Sequence, residues 1–305
     1  MADRPHASRP TLRRRLAAAM AIAAAAAGLE LVGSWITGSL ALLGDAGHVG
    51  TDAVAIGLSL VALHVSERPH TPRMSFGYHR TEVLAALANA ILLVGLAGFL
   101  LLQAYGRSLS PPPVQGGPML VVGALGLGAN VAMLLLLRDW ARRNINVRGA
   151  FLHAYGDALG SLGVVGGAVL IALTGAFVLD VIIAVLIVGL IVANAARLLR
   201  DAVGIFLEAS PAGVPPQEVA EAIRSVTGVE GVHDLHVWTV SSGLYALTGH
   251  IAVAHDATVA RAAEIVEGVR DRIRSRFGID HVTIQVDSFP EDLIPVSEIA
   301  GRSKG

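Results

Sequence analysis

Six long apolar runs dominate this sequence of 305 residues and constrain its fold more than any other feature. Each run is near or above the roughly 20 residues that a helix needs to cross the hydrocarbon core of a bilayer. A mean hydropathy of +0.62 and a charged fraction of 15% agree with a membrane protein. We therefore predict six membrane-spanning helices, at about Leu16–Ile36, Ser39–His64, Val83–Tyr105, Met119–Leu137, Gly149–Leu173 and Phe177–Leu198.

Arginine placement predicts how these helices are oriented. Arginine is frequent in the N-terminal arm, in the loops after the second and fourth runs, and after the sixth run. The loops after the first and fifth runs hold no lysine or arginine, and the loop after the third holds only Arg107. The positive-inside rule then puts both termini in the cytoplasm of a multi-pass protein of the cell (inner) membrane. A secretory signal is the alternative for the first run, but that run continues past Glu30 to Trp35.

Beyond about Leu207 the composition becomes that of a soluble domain. The segments "PPQEVAEAIRSVTG" and "TVARAAEIVEGVRDRIRSRFG" predict helices, and "GVHDLHVWTVSSGLYALTGHIAV" and "DHVTIQVDSF" predict three strands. The expected fold is an all-α six-helix membrane domain plus a small cytoplasmic α+β domain of α-β-β-α-β order. The predicted parts are an N-terminal cytoplasmic arm (1–11), a six-span transmembrane domain (12–206), a cytoplasmic C-terminal domain (207–290) and a tail (291–305) expected to be flexible.

Two histidine–aspartate pairs interrupt the apolar runs. His48 and Asp52 lie in the second run, and His153 and Asp157 lie in the fifth, each pair four residues apart on one helix face. At 1.5 Å per residue each pair is roughly 13 Å deep, so pairs from antiparallel helices can meet near mid-membrane. Two imidazoles and two carboxylates form a tetrahedral set suited to Zn²⁺. Because the same groups bind protons, metal binding is expected to release protons.

Other buried polar residues leave alternatives open. A single histidine or aspartate in a membrane helix more often makes an interhelical hydrogen bond, whereas two pairs at matched depth favour a metal site. Asp45 lies one turn nearer the outer end than His48 and is either an accessory group on the outward path or a structural one. Glu30 is either a proton-path group or a helix contact, with the structural role favoured.

Composition and local motifs exclude several classes of protein. The absence of cysteine excludes disulfides and thiolate ligands, and the net charge of −1 gives no reason to expect a nucleic-acid partner. A metallohydrolase needs a general-base glutamate beside its ligands, as in HExxH, and an open metal position. Here Val49 follows His48 and Ala154 follows His153. A membrane-anchored metal sensor remains as an alternative to a carrier.

Several segments carry a resemblance to a known family. "GSLALLGDAGHVGTDAVAIGLSLVA", "SFGYHRTEVLAALANA" and "GAFLHAYGDALGSLGVV" resemble signature segments of the cation diffusion facilitator family, and the likeness covers most of residues 12–290. The paired HxxxD motifs resemble those of its zinc-transporting members. The resemblance implies a homodimer with a ferredoxin-like cytoplasmic domain, and zinc efflux driven by proton entry. It places His48, Asp52, His153 and Asp157 at the central transport site.

The same resemblance bears on the cytoplasmic domain. His233, His250 and Asp287 match the family's cytoplasmic zinc-binding positions, whereas Gln285 stands where a further histidine is usual. In a regular strand His233 and His236, three residues apart, would face opposite sides and could share an ion only if the strand bulged. Solvated strand histidines are the alternative to a metal site here.

The loops depart from the family pattern. The loop between the fourth and fifth runs has no histidine, so a metal-collecting role for it is unsupported. His70 and His79 are candidates for a second ion after the second run, with contacts at the membrane surface as the favoured alternative.

The sequence thus predicts a secondary transporter rather than an enzyme. Its expected substrate is Zn²⁺, its coupling ion H⁺, and its surroundings the lipid bilayer, with alternating access around a fixed midplane site. A divalent metal exporter of broader selectivity, for Cd²⁺, Co²⁺ or Fe²⁺, is the alternative, because nitrogen and oxygen ligands alone do not fix the metal.

Overall fold

The structure, a computed structural model, describes residues 9–141, 145–241 and 243–288. Residues 1–8 of the predicted arm and the whole predicted tail lie outside the described residues. Six helices in these ranges are long and apolar enough to cross a membrane, which confirms the prediction of six spans. They are α1 Arg9–Thr37, α2 Leu40–Ser66, α3 Thr81–Leu109, α4 Gly116–Ala141, α5 Ile145–Thr174 and α6 Val178–Phe206. The largest differences from prediction are the earlier start of α1 and the later end of α6.

The chain divides into two compact units, Met1–Val61 with Ala85–Leu199, and Ala62–Leu84 with Arg200–Gly305. In the first unit α4 contacts both α1 and α5. Small residues allow the close approach: a Cβ atom at Gly33 of α1 would lie 2.5 Å from Cγ1 of Val122. Such packing is typical of membrane helices, which associate through shape and hydrogen bonds because lipid offers no hydrophobic driving force.

A buried carboxylate fixes the start of α2. Asp180, at the beginning of α6, is 1% exposed. Its Oδ1 accepts hydrogen bonds from Ser39 Oγ at 2.6 Å and from the amide of Ala41 at 3.2 Å, and its Oδ2 accepts one from the amide of Leu40 at 2.7 Å. These amides have no partner within the helix, and a negative charge is favourable at a helix N-terminus. Arg107 lies 3.8 Å from the same carboxylate.

The second unit contains the predicted α-β-β-α-β domain, which confirms its fold class. It comprises α7 Pro216–Arg224, β1 Gly231–Ser241, β2 Leu244–Val253, α8 Val259–Phe277 and β3 His281–Ser288. The strands form one sheet in the order β1-β2-β3, in which β1 and β2 are antiparallel and β2 and β3 are parallel.

The two short helices cover one face of this sheet. Ile223 of α7 and Ile273 of α8 are fully buried with Leu247 and Ile251 of β2. On β3 the apolar side chains Val282, Ile284 and Val286 pack against this core. The alternation predicted from the sequence then leaves the polar side chains of β3 on the opposite face, and these are His281, Thr283, Gln285 and Asp287.

Candidate metal centres

The four residues predicted for the membrane site lie together. Asp52 Oδ2 is 3.0 Å from His153 Nε2 and 3.8 Å from His48 Nε2. Asp157 approaches the same two imidazoles, with its Oδ1 3.6 Å from His48 Nε2 and its Oδ2 3.7 Å from His153 Nε2. Two residues come from α2 and two from α5, so each carboxylate contacts the imidazole of its own helix and that of the other helix.

Three of the four residues lie close enough together to share one metal ion. Ligand atoms about 2.0–2.2 Å from a tetrahedral zinc ion lie about 3.3–3.6 Å from one another. The four carboxylate–imidazole separations, 3.0 to 3.8 Å, bracket that range, and the imidazole centroids are 6.0 Å apart. His48, Asp52 and Asp157 each offer an atom within 4.8 Å of the others, whereas His153 lies outside this group and contacts it through the two carboxylates. Asp157 is 8% exposed and His153 is 48% exposed, so the cluster is open on the side of His153.

Sequence reasoning missed two polar residues, Ser161 and Asn130, that form a chain of hydrogen bonds to Asp45. Ser161 Oγ donates to Asp45 Oδ2 at 2.8 Å, and the side-chain amide of Asn130 donates to Ser161 Oγ at 3.0 Å. All three side chains are buried. The available signals were that Ser161 lies one turn beyond Asp157, and that Asn130 is the one polar side chain between Met119 and Leu137.

Glu30 is also buried, at 2% exposure. Its carboxylate lies against the bare Cα of Gly126 on α4, where a Cβ atom would overlap Glu30 Oε1. Asn130 is four residues beyond Gly126, so both lie on one face of α4.

The three residues predicted for the cytoplasmic site also meet. Asp287 Oδ2 is 3.1 Å from His233 Nε2 and 3.1 Å from His250 Nδ1. The two histidines are cross-strand partners on β1 and β2, with ring centroids 5.2 Å apart. The side-chain amide of Gln285 donates to Asp287 Oδ1, and this hydrogen bond, with the nearby imidazoles, holds the pKa of Asp287 below its usual range. A deprotonated carboxylate is the form that binds metal.

A bulge in β1 changes the place of His236. The register shifts between His233 and His236, and Asp234 between them has a φ of 48°. Because of the extra residue, His236 pairs with Thr248 and faces the same side of the sheet as His250, which is the bulged case that the sequence analysis set apart from a regular strand. Asp234 contacts His236 Nε2 at 3.1 Å and His250 Nε2 at 3.6 Å.

The two loop histidines, His70 and His79, both lie near Gly77. A Cβ atom at Gly77 would lie 3.3 Å from His70 Nδ1 and 3.6 Å from His79 Nε2. In the part of the chain that the structure describes, neither histidine belongs to a group of three ligand atoms close enough to share an ion. The nearby ring of Phe76 instead contacts His281 of β3 edge-on.

Comparison with known proteins agrees with the two-part organisation. The cation efflux transmembrane domain matches residues 16–207, and the cytoplasmic domain of cation efflux proteins matches residues 212–289. The cytoplasmic domain also resembles the metal-bound C-terminal domain of the CzcD transporter from Cupriavidus metallidurans. That match has 32% identity and a TM-score of 0.23, and it covers 24% of this chain and 99% of that one.

Longer matches come from whole proteins. The metal cation efflux system protein CzcD of Cupriavidus metallidurans is 40% identical, over 86% of this chain and 82% of that protein. Zinc transporter ZitB of Escherichia coli is 37% identical, over 91% and 88%. The cadmium, cobalt and zinc/H(+)-K(+) antiporter of Bacillus subtilis is 32% identical, over 85% and 84%. This chain therefore belongs to the cation diffusion facilitator family of multi-pass cation efflux transporters, and among them to the zinc type.

Proposed function

We propose that this protein exports Zn²⁺ from the cytoplasm in exchange for protons, by alternating access around His48, Asp52, His153 and Asp157. One observation carries the proposal: two imidazoles and two carboxylates from two membrane helices approach one another at 3.0 to 3.8 Å. Ionisable side chains at this depth are costly unless they serve an ion pathway, and this set fits zinc.

The chemistry of the four ligands supplies the coupling. Each imidazole nitrogen or carboxylate oxygen binds either a proton or the metal, so zinc arriving from the cytoplasm displaces protons from the ligands. Protons arriving from the outer side displace zinc in turn and reset the site. Because half of the ligands are on α2 and half on α5, a shift between these two helices would separate the pairs and weaken zinc binding.

The remaining features complete the proposed transporter. Arginine placement supports cytoplasmic termini, and hence a cytoplasmic position for the second metal centre. There His233, His250 and Asp287 would hold a zinc ion that biases conformation or dimer contact, since the centre lies off the membrane path. Family membership supports a homodimer and an inner (cell) membrane location.

Broader metal selectivity is the second candidate. One relative is named for cadmium, cobalt and zinc together. Imidazole and carboxylate ligands accept several divalent metals, and affinity alone does not separate them. Imidazole nitrogens bind metals at short distances and therefore favour a compact tetrahedral ion, so we propose zinc as the first candidate.

The test is metal flux in proteoliposomes containing the full chain, with zinc, cadmium, cobalt and iron supplied separately. The parent should transport zinc fastest, and Asp157→Ala should abolish transport, because the site has no spare ligand. Asp256→Ala removes a carboxylate from an exposed position and is the matched control. Zinc flux by Asp157→Ala at the parental rate would mean that the transport site lies elsewhere. Metal binding by the parent without any flux would favour a sensor instead.

A further inference from the structure

Glu30 of α1 is not one of the four proposed metal ligands, yet its side chain is 2% exposed. Among the residues that the structure describes, no hydrogen bond to its carboxyl group is found. α4 makes room for that group, because Gly126 lacks the Cβ atom that would overlap Oε1. A buried carboxylate without a hydrogen-bond partner is costly in a membrane, unless a cation lies near it or a proton neutralises it.

Charge balance around the site points to a proton. One Zn²⁺ ion neutralises Asp52 and Asp157, and leaves the charges of Asp45 and Glu30 uncompensated. The face of α4 beside Glu30 presents Gly126 and the neutral amide of Asn130, which connects through Ser161 to the carboxylate of Asp45 on α2. Asp157 of α5 lies one turn before Ser161. Those carboxylates repel a charged Glu30, most strongly when the metal has left.

Depth supports the same conclusion. Glu30 lies seven residues before the end of α1 at Thr37, and Asp45 lies five residues after the start of α2 at Leu40. At 1.5 Å per residue these are about 10 Å and about 8 Å from the same end of the unit. The Asn130–Ser161–Asp45 hydrogen bonds then hold Asp45 close to the level of Glu30 and one turn from His48.

We propose that Glu30 is a proton-carrying group of the transport cycle, which binds a proton as zinc leaves the four-ligand site and releases it as the next zinc arrives. The proton adds to a carboxylate oxygen of Glu30, and no other bond forms or breaks. Zinc binding elsewhere lowers the negative charge near Glu30, and that is what drives the release. This inference rests on the proposed zinc–proton exchange and adds a group outside the metal ligands.

Three variants of the full chain test it. Glu30→Gln keeps the size of the side chain but cannot carry the proton. Gly126→Ala keeps Glu30 and adds a methyl group that forces its carboxyl group, the end of a flexible side chain, out of its place. Gly128→Ala is the matched control, since it lies two residues away on the exposed side of α4 with no heavy atom within 4 Å of the added carbon.

The first measurement is the number of protons released per zinc bound, from calorimetric titrations of purified protein in two buffers of different ionisation enthalpy. Glu30→Gln should release about one proton fewer per zinc than the parent, while zinc still binds. Gly126→Ala should move in the same direction, and Gly128→Ala should match the parent. The cytoplasmic centre contributes equally to all variants and cancels in the difference.

The second measurement is the limiting zinc accumulation by vesicles at set pH gradients, with equal potassium on both sides and valinomycin to hold the membrane potential at zero. Each proton exchanged per zinc multiplies that limit by about ten per pH unit, so the limit for Glu30→Gln should be about tenfold lower for each pH unit of the gradient. Parental proton release and accumulation by a folded Glu30→Gln would overturn the inference, as would loss of zinc binding, which would make Glu30 a ligand or a structural group. Were Glu30→Gln unable to fold, equal proton release by Gly126→Ala and Gly128→Ala would overturn it. A parent that moves zinc without protons would refute the proposed function itself.

Discussion

Replacing Asp180 by alanine tests whether the start of α2 depends on a single side chain. The carboxylate accepts hydrogen bonds from Ser39, Leu40 and Ala41 and lies 3.8 Å from a guanidinium nitrogen of Arg107. The substitution removes all of these interactions and leaves two buried backbone amides with no partner. At this depth within the unit, water cannot readily replace the lost acceptor, because the residue is 1% exposed.

The size of the effect follows from what is left behind. Removing one partner from a buried, hydrogen-bonded charged group costs about 3–5 kcal/mol, and we expect Asp180→Ala to lower the free energy of unfolding by this amount. Asp180→Asn keeps one carbonyl acceptor and loses mainly the charge at the helix N-terminus, so its loss should be about 1–2 kcal/mol. Arg107 also donates to the carbonyl of Gly38 and lies beside the buried charge of Asp180, but it is 25% exposed, so its replacement by alanine should cost less than Asp180→Ala, about 1–3 kcal/mol.

Denaturant titration of the purified protein in detergent measures these differences. Asp201→Ala, an identical substitution at an exposed position of the same helix, is the matched control and should leave stability within about 0.5 kcal/mol. The expected order of loss is Asp180→Ala, then Asp180→Asn, then Asp201→Ala. If Asp180→Ala were no less stable than the control, the start of α2 would be held by packing alone and the reasoning from hydrogen bonds would fail.

Three further predictions concern both centres and the contact between α1 and α4. His233→Ala combined with Asp287→Ala should impair zinc flux less than any change among the four membrane ligands; complete loss by a folded double variant would reverse this ordering. His48→Asp should keep some flux but lower the zinc-to-cadmium uptake ratio, because a carboxylate accepts a larger ion and more coordination; an unchanged ratio would place selectivity elsewhere. Gly33→Val should cost about 1–3 kcal/mol of stability by crowding Val122, and Val122→Ala in the same chain should recover part of it; equal stability of both variants in denaturant titrations would contradict this packing.

The parts that sequence reasoning reached are those with a local signature. A span of about twenty apolar residues and a strand that alternates are each visible within one window, so the six helices and the α-β-β-α-β order followed directly. The HxxxD spacing is also local, because four residues bring two side chains to one helix face. Two such pairs at similar depth were enough to suggest that they meet, and the structure brings them together.

The parts that sequence reasoning did not reach depend on how elements rotate and approach. Asp180 reads as an ordinary aspartate at the start of a helix, and nothing near it in sequence reveals that it caps another helix 140 residues away. Asn130 and Ser161 are isolated polar residues whose partners are set by the rotation of α4 against α5. The bulge at Asp234 is a similar case, because a positive φ in a strand depends on the fit to its partner strand.

Polar side chains of α2 and α5 meet in three successive contacts, and the register of these contacts follows from the residue spacing on each helix. Asp45 meets Ser161 at 2.8 Å, His48 meets Asp157 at 3.6 Å, and Asp52 meets His153 at 3.0 Å. Along α2 these polar side chains follow at intervals of three and four residues, and along α5 at intervals of four, so each set lies on one stripe of its helix. From one contact to the next, the residue number increases on α2 and decreases on α5, so the two helices must run antiparallel with these stripes facing each other. A slip of one turn would pair His48 with Ser161 and Asp52 with Asp157. His153 would then lose its carboxylate partner from α2, and the proposed four-ligand set would no longer form. The Asp45–Ser161 hydrogen bond, which involves none of the proposed metal ligands, therefore helps to hold the register on which the proposed metal site depends.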